Sequence, residues 1–190
     1  MLVFIPFQSM NPKLKEKIYL VSIVLLIALC AQFYYSYKYL PANQIEVYYN
    51  QDRALNLELI NKIRDADKFV YFAIYTFTRQ DIAQALLAAK YRGLSVVGVT
   101  DRSQYAKVEQ QKKIIDDLQK MGIPIYFQDH SAIMHLKVLV TEKAYISGSF
   151  NWTSSATNLN DEILEIGRDE SVRQKYQNIL EEIFKKYSNL

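Results

Sequence analysis

Hydrophobic residues are arranged along the chain in two different ways, and this difference divides the chain into two parts. No charged side chain interrupts residues 18–35 (IYLVSIVLLIALCAQFYY). As a helix rising about 1.5 Å per residue, this run just spans a hydrocarbon core about 30 Å thick. Tyrosines and Lys38 follow it, as at a membrane interface. The pattern predicts a membrane anchor or signal segment over residues 1–38 and a folded domain over residues 39–190.

Other interpretations of the apolar segment remain open. It resembles a cleaved secretory signal, although Ala28-Leu29-Cys30 matches a small-x-small cleavage site poorly. It also resembles a lipoprotein signal that ends at Cys30, but the bulky Leu29 stands where a small residue is expected. A buried helix of a soluble protein has the same composition. We therefore expect an uncleaved anchor, with a cleaved signal as the main alternative.

The charges that precede the apolar run predict its orientation. Lys13, Lys15 and Lys17 favour an N-terminus in the cytoplasm. In a bacterial cell the folded domain would then lie on the periplasmic or extracellular side, or be secreted if the segment is cleaved. Met10 is a second candidate for the initiator, and a start there would remove the apolar residues MLVFIPFQS.

Beyond a short linker at residues 41–43, strand and helix patterns alternate. The predicted strands are residues 45–49, 68–77, 94–100, 123–127, 136–140, 144–147 and 163–166. The predicted helices are residues 54–66, 81–91, 104–121 and 171–187. Gly93 and Gly122 stand where C-terminal caps of helices belong. Alternation followed by a hairpin predicts an α/β sandwich with a central mixed β-sheet flanked by helices.

The composition limits the chemistry available to this domain. The 190 residues carry a formal net charge of +3, which permits an anionic partner without requiring one. Cys30 is the one cysteine, so neither an intrachain disulfide nor a cysteine zinc site can form. The two histidines are His130 and His135. Such a composition does not predict a metal site or a cofactor.

The first chemically informative pattern is His135-x-Lys137. On a strand these alternate side chains share a face, whereas Leu136 and Val138 point to the other. An imidazole beside an ammonium is a poor core arrangement, but it suits the binding of a phosphate. The ammonium neutralises phosphoryl oxygens, and the imidazole attacks phosphorus or carries a proton.

The second pattern follows the next predicted strand. Ser149 and Asn151 share a face by alternation and can donate hydrogen bonds to phosphoryl oxygens. Gly148 lets the backbone approach closely. The carboxylate of Glu162 could accept the Nδ1 proton of His135 and so fix the tautomer of the imidazole.

Taken together, His135-x-Lys137, Gly148-Ser149-x-Asn151 and Glu162 resemble the signature of the phospholipase D superfamily. The resemblance extends upstream through IYTFT at residues 74–78 to the strand that ends at Asp101, and covers about residues 45–188. It is similar to small members with a single motif, which include bacterial secreted endonucleases and mitochondrial cardiolipin hydrolases. One departure is Glu142, which stands at the position of the motif aspartate; we expect it to be structural and away from the phosphate.

The resemblance implies a mechanism and an assembly. Family members use two His-x-Lys motifs in each active site, so a chain with one motif is expected to form a twofold homodimer with the site at the interface. His135 of one copy would form a phosphohistidine, and His135 of the other would protonate the leaving oxygen and then activate water. Lys137, Ser149 and Asn151 would hold the phosphoryl oxygens without a metal ion.

The sequence leaves the substrate open. The first hypothesis is a nuclease that cleaves DNA or RNA, preferably single-stranded. The alternative is a phospholipase D-type hydrolase of phospholipids such as cardiolipin or phosphatidylcholine, which the membrane segment would hold near its substrate. A further alternative is a non-catalytic, membrane-tethered binding module. An apolar rim around the site would favour lipid, and a narrow basic groove would favour nucleic acid.

Several residues outside the signature carry simpler expectations. His130 is expected in a loop and Trp152 in the core. The aromatic residues of the strand over residues 68–77, Tyr75 among them, are expected mostly in the core, with some beside the cleft. The cations of the terminal helix, Arg173 included, are expected on a solvated face.

Overall fold

The structure, a computed structural model, describes residues 11–38, 45–51, 54–128 and 130–188. It separates into two compact units, Met1–Ala42 and Asn43–Leu190. The predicted linker at residues 41–43 and the alternative start at Met10 lie outside the described residues.

The first unit contains one long helix, α1 (Pro12–Lys38). Its stretch Pro12–Tyr35 contains an 18-residue window with a mean hydropathy of 2.1, and it is long and apolar enough to cross a membrane. None of that window is buried inside the structure, whereas the core helix of a soluble protein is mostly buried. A membrane anchor and a signal sequence both fit this length and composition.

The second unit alternates strands and helices in the predicted order. Its strands are β1 (Ile45–Tyr49), β2 (Phe69–Ile74), β3 (Ser95–Thr100), β4 (Ile125–Phe127), β5 (Lys137–Thr141), β6 (Tyr145–Gly148) and β7 (Ile163–Gly167). Its helices are α2 (Leu55–Asp65), α3 (Gln80–Tyr91), α4 (Arg102–Lys107), α5 (Glu109–Lys120), α6 (Ser154–Asn158) and α7 (Glu170–Tyr187). Gly93 and Gly122 have φ of +91° and +83°, as expected of glycines that end helices.

The strands of the described residues form a single seven-stranded sheet in the order β1-β7-β6-β5-β2-β3-β4. Strands β2, β3 and β4 are parallel, because a helical crossover follows each of β2 and β3. Strands β5, β6, β7 and β1 pair antiparallel, and β5 joins the two halves by pairing antiparallel with β2. The predicted mixed sheet is therefore confirmed.

Each face of the sheet packs against helices and so forms its own apolar core. On one face Phe72, Ile74 and Leu139 pack with residues of α2, α3 and α5, such as Leu59 and Leu86. The other face packs against α7. Its buried residues include Ala73, Val99, Val138, Val140, Tyr145, Leu180 and Phe184. Trp152 is 2% exposed in the first core, where its ring packs against those of Phe72 and Phe77; the expectation for this tryptophan is confirmed.

The helices differ from the prediction in two places. The single helix expected over residues 104–121 is broken at Val108, which is extended with φ −109° and ψ 97°. The break lets Gln104 of α4 and Gln111 of α5 both reach the end of β2. The short helix α6 was not predicted; its first turn is capped by Thr153 Oγ1, which accepts the N–H of Ala156.

Arg173 does not lie on a solvated face, and that prediction was wrong. Its side chain is 8% exposed and forms an ion pair of 2.6 Å with Glu170. Its guanidinium also donates to Gln177 Oε1 and to the carbonyl oxygen of Thr141 at the end of β5. The guanidinium is thus buried where α7 crosses the sheet, a tertiary contact that helical periodicity does not reveal.

Glu142 has the structural position expected of it. Its carboxylate accepts the backbone N–H groups of Asp67 and Lys68 at 2.8 and 3.2 Å, and that of Phe69 more weakly at 3.5 Å. Burial alone would raise the pKa of Glu142, but these backbone hydrogen bonds outweigh it and lower the pKa below the usual 4.5. The carboxylate therefore caps the start of β2, at the opposite end of β5 from Lys137.

We predict that Glu142→Gln lowers the free energy of unfolding by about 1–3 kcal/mol at neutral pH, because charge-assisted hydrogen bonds to the N–H groups are weakened. A depressed pKa in the folded state stabilises the protein above the unfolded-state pKa, and that contribution is lost as pH falls through the folded-state pKa. Urea titrations of both proteins should therefore converge in stability below pH 4.5.

The exposed Glu165→Gln is a matched control and should change stability by less than about 0.5 kcal/mol. A difference between Glu142→Gln and the unmodified protein that stays constant down to the acid range would contradict the assigned role.

Candidate active site

The residues of the two sequence patterns meet at one end of the sheet. There β2 ends at Ile74, which lies opposite Lys137 at the start of β5. Next to β5, β6 ends at Gly148, opposite Leu164 near the start of β7. Alternate strand directions thus bring segments that are distant in sequence to the same edge.

Lys137 and His135 form the centre of this edge. Lys137 is the first residue of β5 and is 9% exposed, whereas His135 precedes the strand and is exposed. The Nζ of Lys137 donates to the carbonyl oxygen of His135 at 3.0 Å. Burial lowers the pKa of Lys137, and the negative charge of Glu162 partly offsets this effect. The site therefore presents an accessible imidazole beside an ammonium withdrawn from water.

Tyr75 contacts both of these side chains. Its ring centroid lies 4.7 Å from that of His135, with the two ring planes at 61°. The Nζ of Lys137 lies 5.1 Å from the same centroid, within the range of a cation–π contact. From the sequence, this tyrosine belonged to a group of aromatics expected mostly in the core and partly beside the cleft, and it had no role of its own. The available signals were its place at the carboxyl end of a buried strand and within the IYTFT segment.

Ser149 and Asn151 follow β6 and turn the chain beneath the site. Ser149 donates its N–H to the carbonyl oxygen of Ile163, and its hydroxyl accepts the N–H of Ile163, both at 3.1 Å. The Oδ1 of Asn151 accepts the N–H of Thr76 at 3.2 Å. Within the described residues the Nδ2 of Asn151 has no hydrogen bond, so this amide group can still donate to a ligand.

Glu162 is 6% exposed and lies at the same edge. Its Oε2 accepts the hydroxyl of Ser149, and its Oε1 accepts Nδ2 of Asn160 at 3.0 Å. The expected hydrogen bond from His135 to Glu162 is not formed in the structure, where Ser149 and Asn160 donate to the carboxylate. In the described part of the chain the imidazole of His135 makes no hydrogen bond. Glu162 acts on Lys137 through its charge instead.

Asp101 is a further polar residue of the site region, to which the sequence had given no chemical role. It is fully buried after β3, and its carboxylate accepts the N–H of Gln104 at 2.9 Å and that of Met134 at 2.8 Å. Gln128 and Ser103 donate to it as well. Burial would raise the pKa of Asp101, but these hydrogen bonds outweigh it and lower the pKa. Asp101 thus ties the backbone directly before His135 to the first turn of α4.

Other candidates lie outside this arrangement. His130 is exposed in the loop before β5. Among the described residues, no group of three or more His, Cys, Asp or Glu side chains could hold a metal ion. The site gathers one imidazole, one ammonium, one amide and one hydroxyl at an open edge, with the carboxylate of Glu162 beside them. The ammonium and the hydrogen-bond donors suit an anionic phosphodiester.

The chain is similar to a known family and to proteins of known name. The family model described as "Cardiolipin synthase, PLD-like domain" matches residues 59–184. Mitochondrial cardiolipin hydrolase from Xenopus tropicalis is 29% identical over 137 residues, which are 72% of this chain and 63% of that protein. Phospholipase D from Rickettsia prowazekii is 27% identical over 144 residues, 75% of this chain and 69% of that protein. The chain thus spans about two thirds of the length of these relatives.

Solved structures share the fold. Nuc from Salmonella typhimurium, a phospholipase D family member, superposes with a TM-score of 0.70 at 24% identity and covers 76% of this chain and 95% of its own. NucT from Helicobacter pylori has a TM-score of 0.66 at 26% identity and covers 75% of this chain and 97% of its own. These matches span nearly the whole length of both solved chains.

We predict that Gly148→Ala disrupts the site. Gly148 has φ +144°, and a Cβ there would lie 2.2 Å from the carbonyl oxygen of Ile163. Relief of this clash requires β6 and β7 to separate where Ser149 contacts Glu162. We expect a loss of more than about 2 kcal/mol in the free energy of unfolding, measured by chemical denaturation.

Gly93→Ala is the matched control, since Gly93 also has a positive φ but a Cβ there would meet nothing within 4 Å. It should cost about 1 kcal/mol, from backbone strain alone. Equal losses for the two variants would show that the close approach at Gly148 has no energetic weight.

Proposed function

The chain belongs to the phospholipase D superfamily, and from this premise we propose that it is a metal-independent phosphodiesterase with His135 as its nucleophile. The observation that carries the proposal is the exposed imidazole of His135 beside the buried ammonium of Lys137. The alternative, a non-catalytic binding module, would bind a phosphodiester at these groups without hydrolysing it.

In the proposed reaction a phosphodiester lies at the edge of the sheet. The Nε2 or Nδ1 of His135 attacks phosphorus, and the bond to the leaving oxygen breaks as a phosphohistidine forms. Lys137 and the Nδ2 of Asn151 stabilise the charge that develops on the phosphoryl oxygens. The hydroxyl of Ser149 joins them after it rotates away from Glu162. Water then attacks phosphorus and releases the product and the free imidazole.

The reaction also needs a group that protonates the leaving oxygen and later deprotonates the attacking water. His130 lies in an exposed loop and is not part of the described site. We propose that His135 of a second copy performs this role in a twofold homodimer whose site lies at the interface. The exposure of His135 supports the proposal, because a second copy can reach it.

Nucleic acid is the first proposed substrate. The site lies at an open edge where His135 and Ser149 are exposed, so the backbone of an extended polymer can reach the imidazole. The net charge of +3 is compatible with a polyanion. Single-stranded DNA or RNA suits such a site better than duplex, because no dense basic surface is evident in the sequence.

Phospholipid is the second candidate, and one feature of the site favours it. Large apolar side chains next to the site residues are exposed, namely Ile133, Leu136, Leu159 and Ile163. They would contact acyl chains at a membrane surface. The names of the relatives, a cardiolipin hydrolase and a phospholipase D, point the same way. An interface between two copies that meet around His135 would also favour exposed apolar side chains, so these residues do not displace the first proposal.

The proposed location follows from α1. An uncleaved anchor with a cytoplasmic N-terminus would hold the catalytic domain on the periplasmic or extracellular side, and cleavage would release it. In both cases the domain would act outside the cytoplasm, where nucleic acid and the outer lipid leaflets are accessible.

We predict that the full chain in detergent hydrolyses a chromogenic phosphodiester in the presence of a chelator, and that His135→Ala abolishes the activity. Removal of the nucleophile is expected to cost at least about 10³-fold in kcat. Lys137→Met should cost about 10²-fold or more, because the charge that stabilises the transition state is lost. His130→Ala is the matched control and should be fully active. Full activity of His135→Ala would contradict the proposal.

Two extensions of this assay separate the open alternatives. Single-stranded DNA, RNA and cardiolipin vesicles, offered to the same preparation, distinguish nuclease from lipase. Coexpression of the native chain with an equal amount of His135→Ala should reduce the activity per native subunit to about half, since random pairing leaves half the native subunits with a native partner. Unchanged activity per native subunit would exclude a shared site.

A further inference from the structure

The contacts of Tyr75 set it apart from two aromatic neighbours, Phe72 of β2 and Phe77, which follows β2. Phe72 and Phe77 are fully buried in the apolar core, whereas Tyr75 is only half-buried and belongs to neither core cluster. Its ring is turned to the polar edge of the sheet. A tyrosine that served the core alone would pack with its neighbours there.

We propose that Tyr75 is a positioning residue that holds His135 and Lys137 in the geometry for attack, and that Gln104 of α4 fixes Tyr75 in turn. The inference rests on the proposed function, because it assigns Tyr75 a role in that same reaction. It adds to the site Tyr75, which follows β2, and Gln104, which lies on α4.

The ring of Tyr75 constrains the nucleophile. The imidazole of His135 makes no hydrogen bond within the described residues, so no polar partner fixes its rotation about the side-chain bonds. Its ring contact with Tyr75, at a centroid separation of 4.7 Å, limits this rotation. A nucleophile that must approach phosphorus within about 3–3.5 Å loses rate steeply when its orientation is free.

The same ring constrains the cation. The ammonium of Lys137 lies 5.1 Å from the centroid of Tyr75 and donates to the carbonyl oxygen of His135. The two contacts hold the Nζ in place, although burial disfavours its charge. Tyr75 therefore orients both groups that act on phosphorus.

Tyr75 is itself anchored from two directions. Its N–H donates to the carbonyl oxygen of Leu136 at 2.9 Å, which connects it to the segment between His135 and Lys137. Its hydroxyl accepts the Nε2 of Gln104 at 2.9 Å. The Oε1 of Gln104 also accepts the hydroxyl of Thr76, so the amide has one defined orientation. Gln104 is held by its own N–H, which donates to the buried Asp101.

The test compares four variants of the full chain on the chromogenic phosphodiester: Tyr75→Leu, Tyr75→Phe, Gln104→Leu and the double variant Tyr75→Phe/Gln104→Leu. Tyr75→Leu should lower kcat by about 10²-fold with KM changed by less than about threefold, because orientation and not affinity is lost. Tyr75→Phe keeps the ring and should therefore keep most of the kcat that Tyr75→Leu loses. Gln104→Leu should resemble Tyr75→Phe, and the double variant should be no worse than either, because all three lack the same hydrogen bond.

Tyr105→Phe is the matched control. It also removes a tyrosine hydroxyl that has a hydrogen bond, to Asp116 at 2.7 Å, but this bond joins α4 to α5 away from the site. Its kcat should be unchanged. Unfolding midpoints of all variants are measured in parallel.

The inference would be overturned if Tyr75→Leu kept kcat within about twofold, if the losses of Tyr75→Phe and Gln104→Leu multiplied in the double variant, or if activity fell only in proportion to the folded fraction. His135→Ala reports separately on the proposed function. An inactive His135→Ala together with a fully active Tyr75→Leu would therefore reject this inference alone.

Discussion

The feature on which the site depends is an ammonium group withdrawn from water at the end of an apolar sheet. Lys137 begins a strand whose remaining residues are all buried, and it is itself 9% exposed. A charge in this position is stable only if nearby groups compensate for its lost hydration. The carbonyl oxygen of His135, the ring of Tyr75 and the charge of Glu162 each contribute. None of these is an anion in direct contact, so a phosphate would complete the compensation.

The fold produces this arrangement through strand direction and close approach. Because β5 and β7 start where β2 and β6 end, His135, Lys137 and Glu162 meet the residues that follow β2 and β6. Gly148 allows β6 to approach the carbonyl oxygen of Ile163, and Ser149 can then contact Glu162. At the other end of β5, Glu142 caps the start of β2. The two acidic residues thus have separate roles, one near the site and one in the framework.

Most of the fold could be predicted from the sequence, because strand and helix periodicities and the glycines that end helices are local signals. The breaks were less accessible. Nothing local marks Val108 as a helix break, since its extended conformation serves contacts that α4 and α5 make with the end of β2. Likewise, the strand predicted over residues 68–77 is longer than β2, which ends at Ile74. The next N–H groups, of Thr76 and Phe77, donate to side chains of Asn151 and Gln111 instead of to a neighbouring strand.

In the candidate site, too, local patterns were predictable and tertiary contacts were not. Alternation along the strand and the family resemblance predicted which residues gather, and the roles given to them remain predictions. The partners of those residues could not be predicted, because they depend on tertiary geometry. Glu162 contacts Ser149 and Asn160 instead of His135, and neither Tyr75 nor Asp101 had been given a role at the site. Partners of this kind lie far apart in sequence and obey no fixed spacing.

The most direct test of the proposed mechanism identifies the protein atom that becomes bonded to phosphorus. The full chain would be mixed with a phosphodiester substrate, quenched in alkali during turnover to preserve phosphohistidine, digested, and analysed by tandem mass spectrometry. We predict a phosphoryl adduct on the imidazole of His135 and no adduct at this position in His135→Ala. An adduct on any other residue, or none in a preparation that is turning over substrate, would contradict the proposed mechanism.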